Sequence, residues 1–175
     1  MIPYRVKQVI WALTARPLNQ SDIALLDEVL TPEERKLFLQ FTDNDQNHSI
    51  RVVRVICQQP EPNLSLQKAA LLHDIGKTKI GRLSVIDRSI AVAVKVLLPG
   101  RSKKWGELEL SEAKRYQFPS IVRAQHAAWG AEMAQAAGSD QLTVDLIRRH
   151  QDKLREIVSE EDCLLTVLQA ADDVS

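Results

Sequence analysis

The sequence predicts an all-α protein, and three observations carry that reading. Apolar residues recur at helical spacing through most of the chain. Helix-starting and helix-ending signals bracket these stretches. Aliphatic side chains and alanine supply the apolar fraction: aromatics are only 5% of a chain that is 45% hydrophobic, which favours packed helices over a sandwich of strands.

Taken in order, a first helix is expected over Tyr4–Ala15, stopping before Pro17, and a second after Ser21, ending near Leu30. Thr31-Pro32-Glu33-Glu34 combines an N-cap, a proline at the first helical position and a glutamate at the third, so it starts a helix running to about Phe41. The polar run Thr42–Asn47 reads as a connection, followed by a helix over Asn47–Gln59. Leu64–Ile75 is the next, with Gly76 as its stop. Ile86–Leu98 is apolar and β-rich in composition; it reads as a helix because no partner strands exist elsewhere, and it is a candidate lid or subunit interface. LPGRSKKWGE reads as a loop whose Arg101, Lys103 and Lys104 are solvated, with a short helix after it over Leu110–Tyr116. Pro119–Ala137, closed by Gly138, Leu142–Lys153 and Glu160–Asp173 complete the set, the last capped by Ser159 with acidic residues in its first turn.

Composition excludes several classes of function. The 175 residues fit one domain, and 23 acidic residues balance 23 basic ones. No global positive field draws in nucleic acid, and no polybasic segment points to an anionic membrane. Arg88 and Lys95 interrupt the longest apolar runs, and the N-terminus lacks a signal-peptide layout. Cys57 and Cys163 lie in apolar stretches, read as small buried hydrophobes, and form no disulfide framework. The expectation is a cytoplasmic protein with neither a membrane nor nucleic acid as partner.

Chemistry concentrates on four histidines. His48, His73, His126 and His150 fall on different expected helices, each on the apolar face: His48 with Val52 and Ile56, His73 with Ala69 and Ala70, His126 with Val122 and Trp129, His150 with Leu146 and Ile147. One inward imidazole is commonly a satisfied core histidine. Four in one small core need partners, because an unpartnered buried polar group costs about 1–3 kcal/mol. A shared metal site supplies them, neutral imidazole being the commonest protein metal ligand. Asp74 shares the face of Ala70 and Leu71, and Asp172 that of Leu165 and Leu168, whereas Asp173 falls on the polar side.

His48, then Leu-Leu-His73-Asp74-Ile-Gly-Lys77, then Gln-Ala-Ala-Asp172-Asp resembles the HD superfamily of metal-dependent phosphohydrolases over residues 44–175, with residues 1–43 as an N-terminal helical extension. His126 in HAAWGAE and His150 in IRRHQD are similar to the further histidines of its dinuclear subgroup. The resemblance implies an all-α HD bundle holding two divalent transition-metal ions, iron or manganese ahead of zinc, cobalt and nickel. His48, His73, Asp74 and Asp172 would hold the first. Asp74 would bridge to a second, also bound by His126 and His150. A metal-bridging hydroxide would cleave a nucleotide or other phosphoester. Lys77 is the candidate phosphate contact, with Arg148 and Arg149 as further substrate-binding candidates. The cyclic-di-GMP phosphodiesterase type carries a GYP signature, but here QDK follows His150. Two alternatives stay open: a mixed-valent di-iron oxygenase of the same fold, and a non-catalytic nucleotide-sensing module.

Overall fold

The computed structural model describes residues 16–81, 94 and 96–175. The described residues form eight α-helices, two 3₁₀ segments and no strand, as an all-α chain requires. The helix expected over Tyr4–Ala15 and most of that over Ile86–Leu98 lie outside the described residues. None of the described helices is long and apolar enough to cross a membrane.

Local capping explains where each helix begins. Helix α1 (Gln20–Val29) starts earlier than expected, because Asn19 and not Ser21 is its N-cap: Asn19 Oδ1 accepts from the Asp22 N–H, and Asp22 returns the bond to the Asn19 N–H. Helix α2 (Pro32–Phe38) has the capping box read from Thr31 and Glu34 but ends three residues short of Phe41. Helix α3 (Asp43–Ile56) absorbs the polar run expected to be a connection. Thr42 caps it, Asp43 and Asp45 lie in its first turn, and these polar residues are what a helix N-terminus favours.

Helix α4 (Leu64–Leu72) stops at His73, three residues before the expected end, and the chain continues as a 3₁₀ segment over Ile75–Ile80. The stretch read as a basic loop is helix α5 (Pro99–Gly106), started by its proline. Turns and a 3₁₀ segment over Arg115–Gln117 replace the helix expected at Leu110–Tyr116. Helices α6 (Phe118–Ala136), α7 (Gln141–Arg149) and α8 (Glu160–Val174) follow, with Gly138 at φ 84° closing α6 and Asp140 and Ser159 capping α7 and α8.

Helix α4 is the central element. Leu66, Ala69, Ala70, Leu71 and Leu72 are all fully buried, and α3, α7 and α8 pack around them. Helix α6 covers the 3₁₀ segment and α7. Gly76, expected as a helix stop, serves close packing instead. A Cβ built there would stand 2.0 Å from the His126 carbonyl oxygen and 2.7 Å from the Gly130 nitrogen. Gly130 reciprocates, so two glycines let backbone meet backbone. Both cysteines are exposed, contrary to expectation. Cys57 caps α3 just beyond its last core residue, Ile56, and Cys163 lies off the face that Leu165 and Leu168 turn inward.

Away from the histidines, Glu34 is fully buried and ties three parts together. It accepts from the Thr31 N–H at 2.9 Å, from Lys68 Nζ of α4 at 3.1 Å and from Ser139 Oγ after α6 at 2.7 Å. Burial raises its pKa, but these donors outweigh burial and hold it below 4.5. Glu34 therefore contributes stability that is present above pH 4.5 and is lost as pH falls through the depressed value.

Three substitutions test this packing by equilibrium unfolding. Gly76→Ala is expected to cost about 2 kcal/mol or more, since the clash is with backbone. Gly100→Ala, which meets nothing within 4 Å, should leave stability unchanged or slightly raised. Glu34→Gln leaves Lys68 without its anion and should cost about 3 kcal/mol at neutral pH. That deficit should shrink in urea titrations below pH 4.5, where the wild type loses its own charge; a deficit independent of pH would refute the ion-pair account.

Candidate metal centre

Five helices each deliver one side chain of the site, and the break after α4 delivers a sixth. His48 lies in α3 on the side of Val52 and Ile56, both fully buried. His73 is the C-cap of α4, and His150 is the C-cap of α7. His126 lies within α6, and Asp172 near the end of α8. Asp74 follows the helix break, at φ −97° and ψ 2°. The break matters: in a continuous helix, neighbours point about 100° apart, whereas here His73 and Asp74 reach the same centre.

The contacts separate into two groups sharing Asp74. On one side, His48 Nε2 lies 2.9 Å from Asp172 Oδ1, and His73 Nε2 lies 3.6 Å from that oxygen and 3.5 Å from Asp74 Oδ2. On the other, Asp74 Oδ1 lies 3.3 Å from His126 Nε2 and 3.9 Å from His150 Nε2. His48, His73 and Asp74 form one set of potential ligand atoms lying within 4.8 Å of one another, and Asp74, His126 and His150 form another. Asp173, by contrast, is exposed.

Backbone carbonyls fix the imidazole orientations. Nδ1 lies 3.0 Å from Ala70 O in His73, 2.8 Å from Val122 O in His126 and 2.7 Å from Ile147 O in His150. A carbonyl cannot donate, so Nδ1 carries the hydrogen in all three rings and Nε2 is the atom left for the centre. Two consequences test whether a cation fits. Buried His73 Nε2 has no hydrogen-bond partner. His126 Nε2 and His150 Nε2 face each other at 3.3 Å, and two neutral rings in this tautomer would present lone pair to lone pair. Two nitrogens about 2.1 Å from one ion, at roughly a right angle, stand about 3 Å apart. The donors fit a metal on both counts.

The electrostatics agree. Burial opposes charge on His73, yet Asp74 and Asp172 override it and raise its pKa to about 10, so without a metal the ring carries a second proton on Nε2, at the place that a bound cation would take over. Burial and the nearby His73 charge lower His150 to about 4, so that ring is neutral. Burial would raise the carboxylates; instead Lys77 and His73 hold Asp74 well below its usual value, and His48 and His73 do the same for Asp172. The centre thus holds two ionised carboxylates, Asp74 buried and Asp172 partly exposed at the cavity wall, an arrangement that favours a cation between them and the histidines.

A family model for the HD domain matches residues 45–175. The chain belongs to the HD domain family. No curated protein and no solved structure matches it. In this HD domain, helices α1 and α2 precede the matched region.

The candidate substrate residues divide. Lys77, in the 3₁₀ segment, forms an ion pair with Asp74 Oδ2 and keeps a partly exposed side chain. Arg148 pairs with Asp145 at 3.3 Å. Arg149 pairs with Glu161, with Asp162 at 2.6 Å and with Asp152 at 3.5 Å. Neither arginine's ion pairs include a member of the histidine–aspartate cluster. A cavity of about 740 Å³ has His150 and Asp172 in its wall, and the cations lining it are Lys153 and Arg155. No sequence signal marks these two, because they lie in the irregular segment between α7 and α8.

Gln169 carries no sequence signal either, because it lies one helical turn before Asp173 on the polar side of α8. Its Nε2 donates to His150 O at 3.0 Å and Asp152 O at 2.8 Å, so α8 holds both Asp172 and the backbone that presents His150. Gln169→Leu removes both donors and should cost about 1–3 kcal/mol. Amide hydrogen exchange should accelerate around residues 150–153 and stay unchanged in α3 and α4; uniform acceleration would refute this local role.

Proposed function

We propose that this HD domain is a metal-dependent phosphohydrolase using two divalent transition-metal ions, iron or manganese ahead of zinc, cobalt and nickel. The observation that carries the proposal is the split of Asp74. Its Oδ2 faces His73, while its Oδ1 faces His126 and His150. A carboxylate can serve two ions in this way because it has two oxygens, and an imidazole cannot. His48, His73, Asp74 and Asp172 hold the first ion in this reading, and Asp74, His126 and His150 the second. The mixed nitrogen and oxygen donor set suits those metals better than magnesium or calcium. Two such ions supply an acidified water as nucleophile and neutralise charge building on a phosphoryl oxygen.

The chain's own residues do the rest. The Ala70, Val122 and Ile147 carbonyls hold three rings with Nε2 inward. Lys77 neutralises part of the Asp74 charge and, with a partly exposed side chain, is the contact for a non-bridging phosphoryl oxygen in this reading. The cavity beside His150 and Asp172 has the volume of a small-molecule site, room for a nucleotide or another phosphorylated small molecule. Lys153 and Arg155 line this cavity, beside the carboxylates of Asp152, Glu156 and Asp173, whereas Arg148 and Arg149 do not line it.

Elemental analysis of protein purified without chelator or affinity tag is the test. About two transition-metal ions per chain are expected. Asp74→Ala should lose both, together with phosphate release from a panel of nucleotides and phosphoesters, whereas His126→Ala should retain one. Full activity in Asp74→Ala would sink the mechanism. Oxygen uptake without phosphate release in an iron-loaded sample would favour oxygenase chemistry instead.

A further inference from the structure

Helix α5 changes the meaning of a stretch that the sequence presents as a solvated basic loop. Just before it, Val96, Leu97 and Leu98 are 70%, 75% and 46% exposed. Contiguous exposed aliphatic residues mark a surface that has an apolar partner. One turn of α5 then brings Arg101, Lys104 and Trp105 to one face. With Gly100, Leu108 and Gln117 they line a groove of about 550 Å³ that contains no carboxylate. The Trp105 ring meets the exposed Tyr116 edge to face, with centroids 5.4 Å apart. Glu107, the acidic residue nearest to α5, lines a different cavity on the helix's other side, with Lys103 and Arg123. Arg101, Lys103 and Lys104 form no ion pair among the described residues.

The chemistry of this face is specific. Exposed aliphatic residues directly preceding α5, the indole–phenol pair at its groove, and long-chain cations without an ion pair among the described residues together match the graded polarity of a bilayer surface. Aliphatic side chains enter the acyl boundary, Trp and Tyr sit at headgroup depth, and Lys and Arg extend to lipid phosphates. A protein partner would have to supply carboxylates and an apolar pocket together, whereas an anionic leaflet supplies both components everywhere. The chain's zero net charge makes the attraction local to this patch. We propose that Val96–Leu98 and the Arg101–Lys104–Trp105 face of α5 dock the protein on the surface of an anionic lipid bilayer. This departs from the expectation of no membrane partner: it concerns adsorption to a membrane surface, not a span, and it does not depend on the metal centre.

The test is co-sedimentation of the full chain with phosphatidylcholine vesicles, with and without one-third phosphatidylserine. Binding to the anionic vesicles at low salt, little binding to the neutral ones, and release at high salt are expected. Leu97→Glu and the double variant Arg101→Glu, Lys104→Glu should each weaken binding about tenfold or more. Circular dichroism should not change, because these side chains make no core contacts. Failure of the wild type to sediment with anionic vesicles would overturn the proposal, as would variants that sediment like the wild type. A dimer that Leu97→Glu converts to monomer, without vesicle binding, would assign the face to a second copy of the chain and overturn it equally.

Discussion

A side chain on Gly76 would stand 2.0 Å from the His126 carbonyl oxygen, and that approach controls the geometry of the centre. Asp74 is two residues before Gly76, and His126 belongs to the same turn of α6 that Gly76 touches. The distance between Asp74 Oδ1 and His126 Nε2, 3.3 Å, therefore depends on backbone lying directly on backbone. Gly130 makes the same contact from the opposite side, one helical turn further along α6. Any residue with a β-carbon at Gly76 would separate the 3₁₀ segment from α6 and so separate the shared carboxylate from the second pair of histidines.

Around this contact the protein solves a problem of buried polarity. His73, Asp74, His126 and His150 are all buried, in a core built mainly from Leu, Ile, Val and Ala. Helix ends make this feasible. His73 and His150 occupy C-caps, where carbonyls with no intrahelical partner are available. The Nδ1 hydrogens of these rings take up such carbonyls, which orients the rings and leaves their Nε2 atoms facing the two ionised aspartates. Gln169 and the Arg149 ion pairs then tie the end of α7 to α8, so that the histidine from one helix and the aspartate from the other share a mechanical frame. Two of the four histidines thus come from helix termini, while His48 and His126 project from within their helices.

The same economy extends to the outer parts of the fold. Glu34 joins α2, α4 and the turn after α6 through one buried carboxylate, so the helices before the matched region are anchored to the element that carries His73. The cavity beside His150 and Asp172 is walled largely by the irregular segment between α7 and α8, whose Leu154 packs against the core.

The sequence by itself determined the helical class, the Thr31, Ser159 and Gly138 signals, and the inward-facing histidines and aspartates. These are local or periodic properties: a cap needs neighbours within four residues, and an apolar face needs only regular spacing. It also separated Asp172 from Asp173, because one residue of helical rotation distinguishes core from solvent. Tertiary structure decided the rest. Thr42–Asn47 looked like a connection because a solvated first turn is as polar as a loop, and α5 looked like a loop because its turns present cations and glycine. Arg148 and Arg149 seemed free until α8 brought Glu161 and Asp162 beside Arg149, while Asp145 on the same helix took Arg148. Gly76 signalled a helix stop because the partner that demands a glycine there, the His126 carbonyl, lies fifty residues away in the chain. Contacts between distant segments leave no periodic trace, so only the folded chain reveals which side chains share a charge, a cavity or a backbone contact.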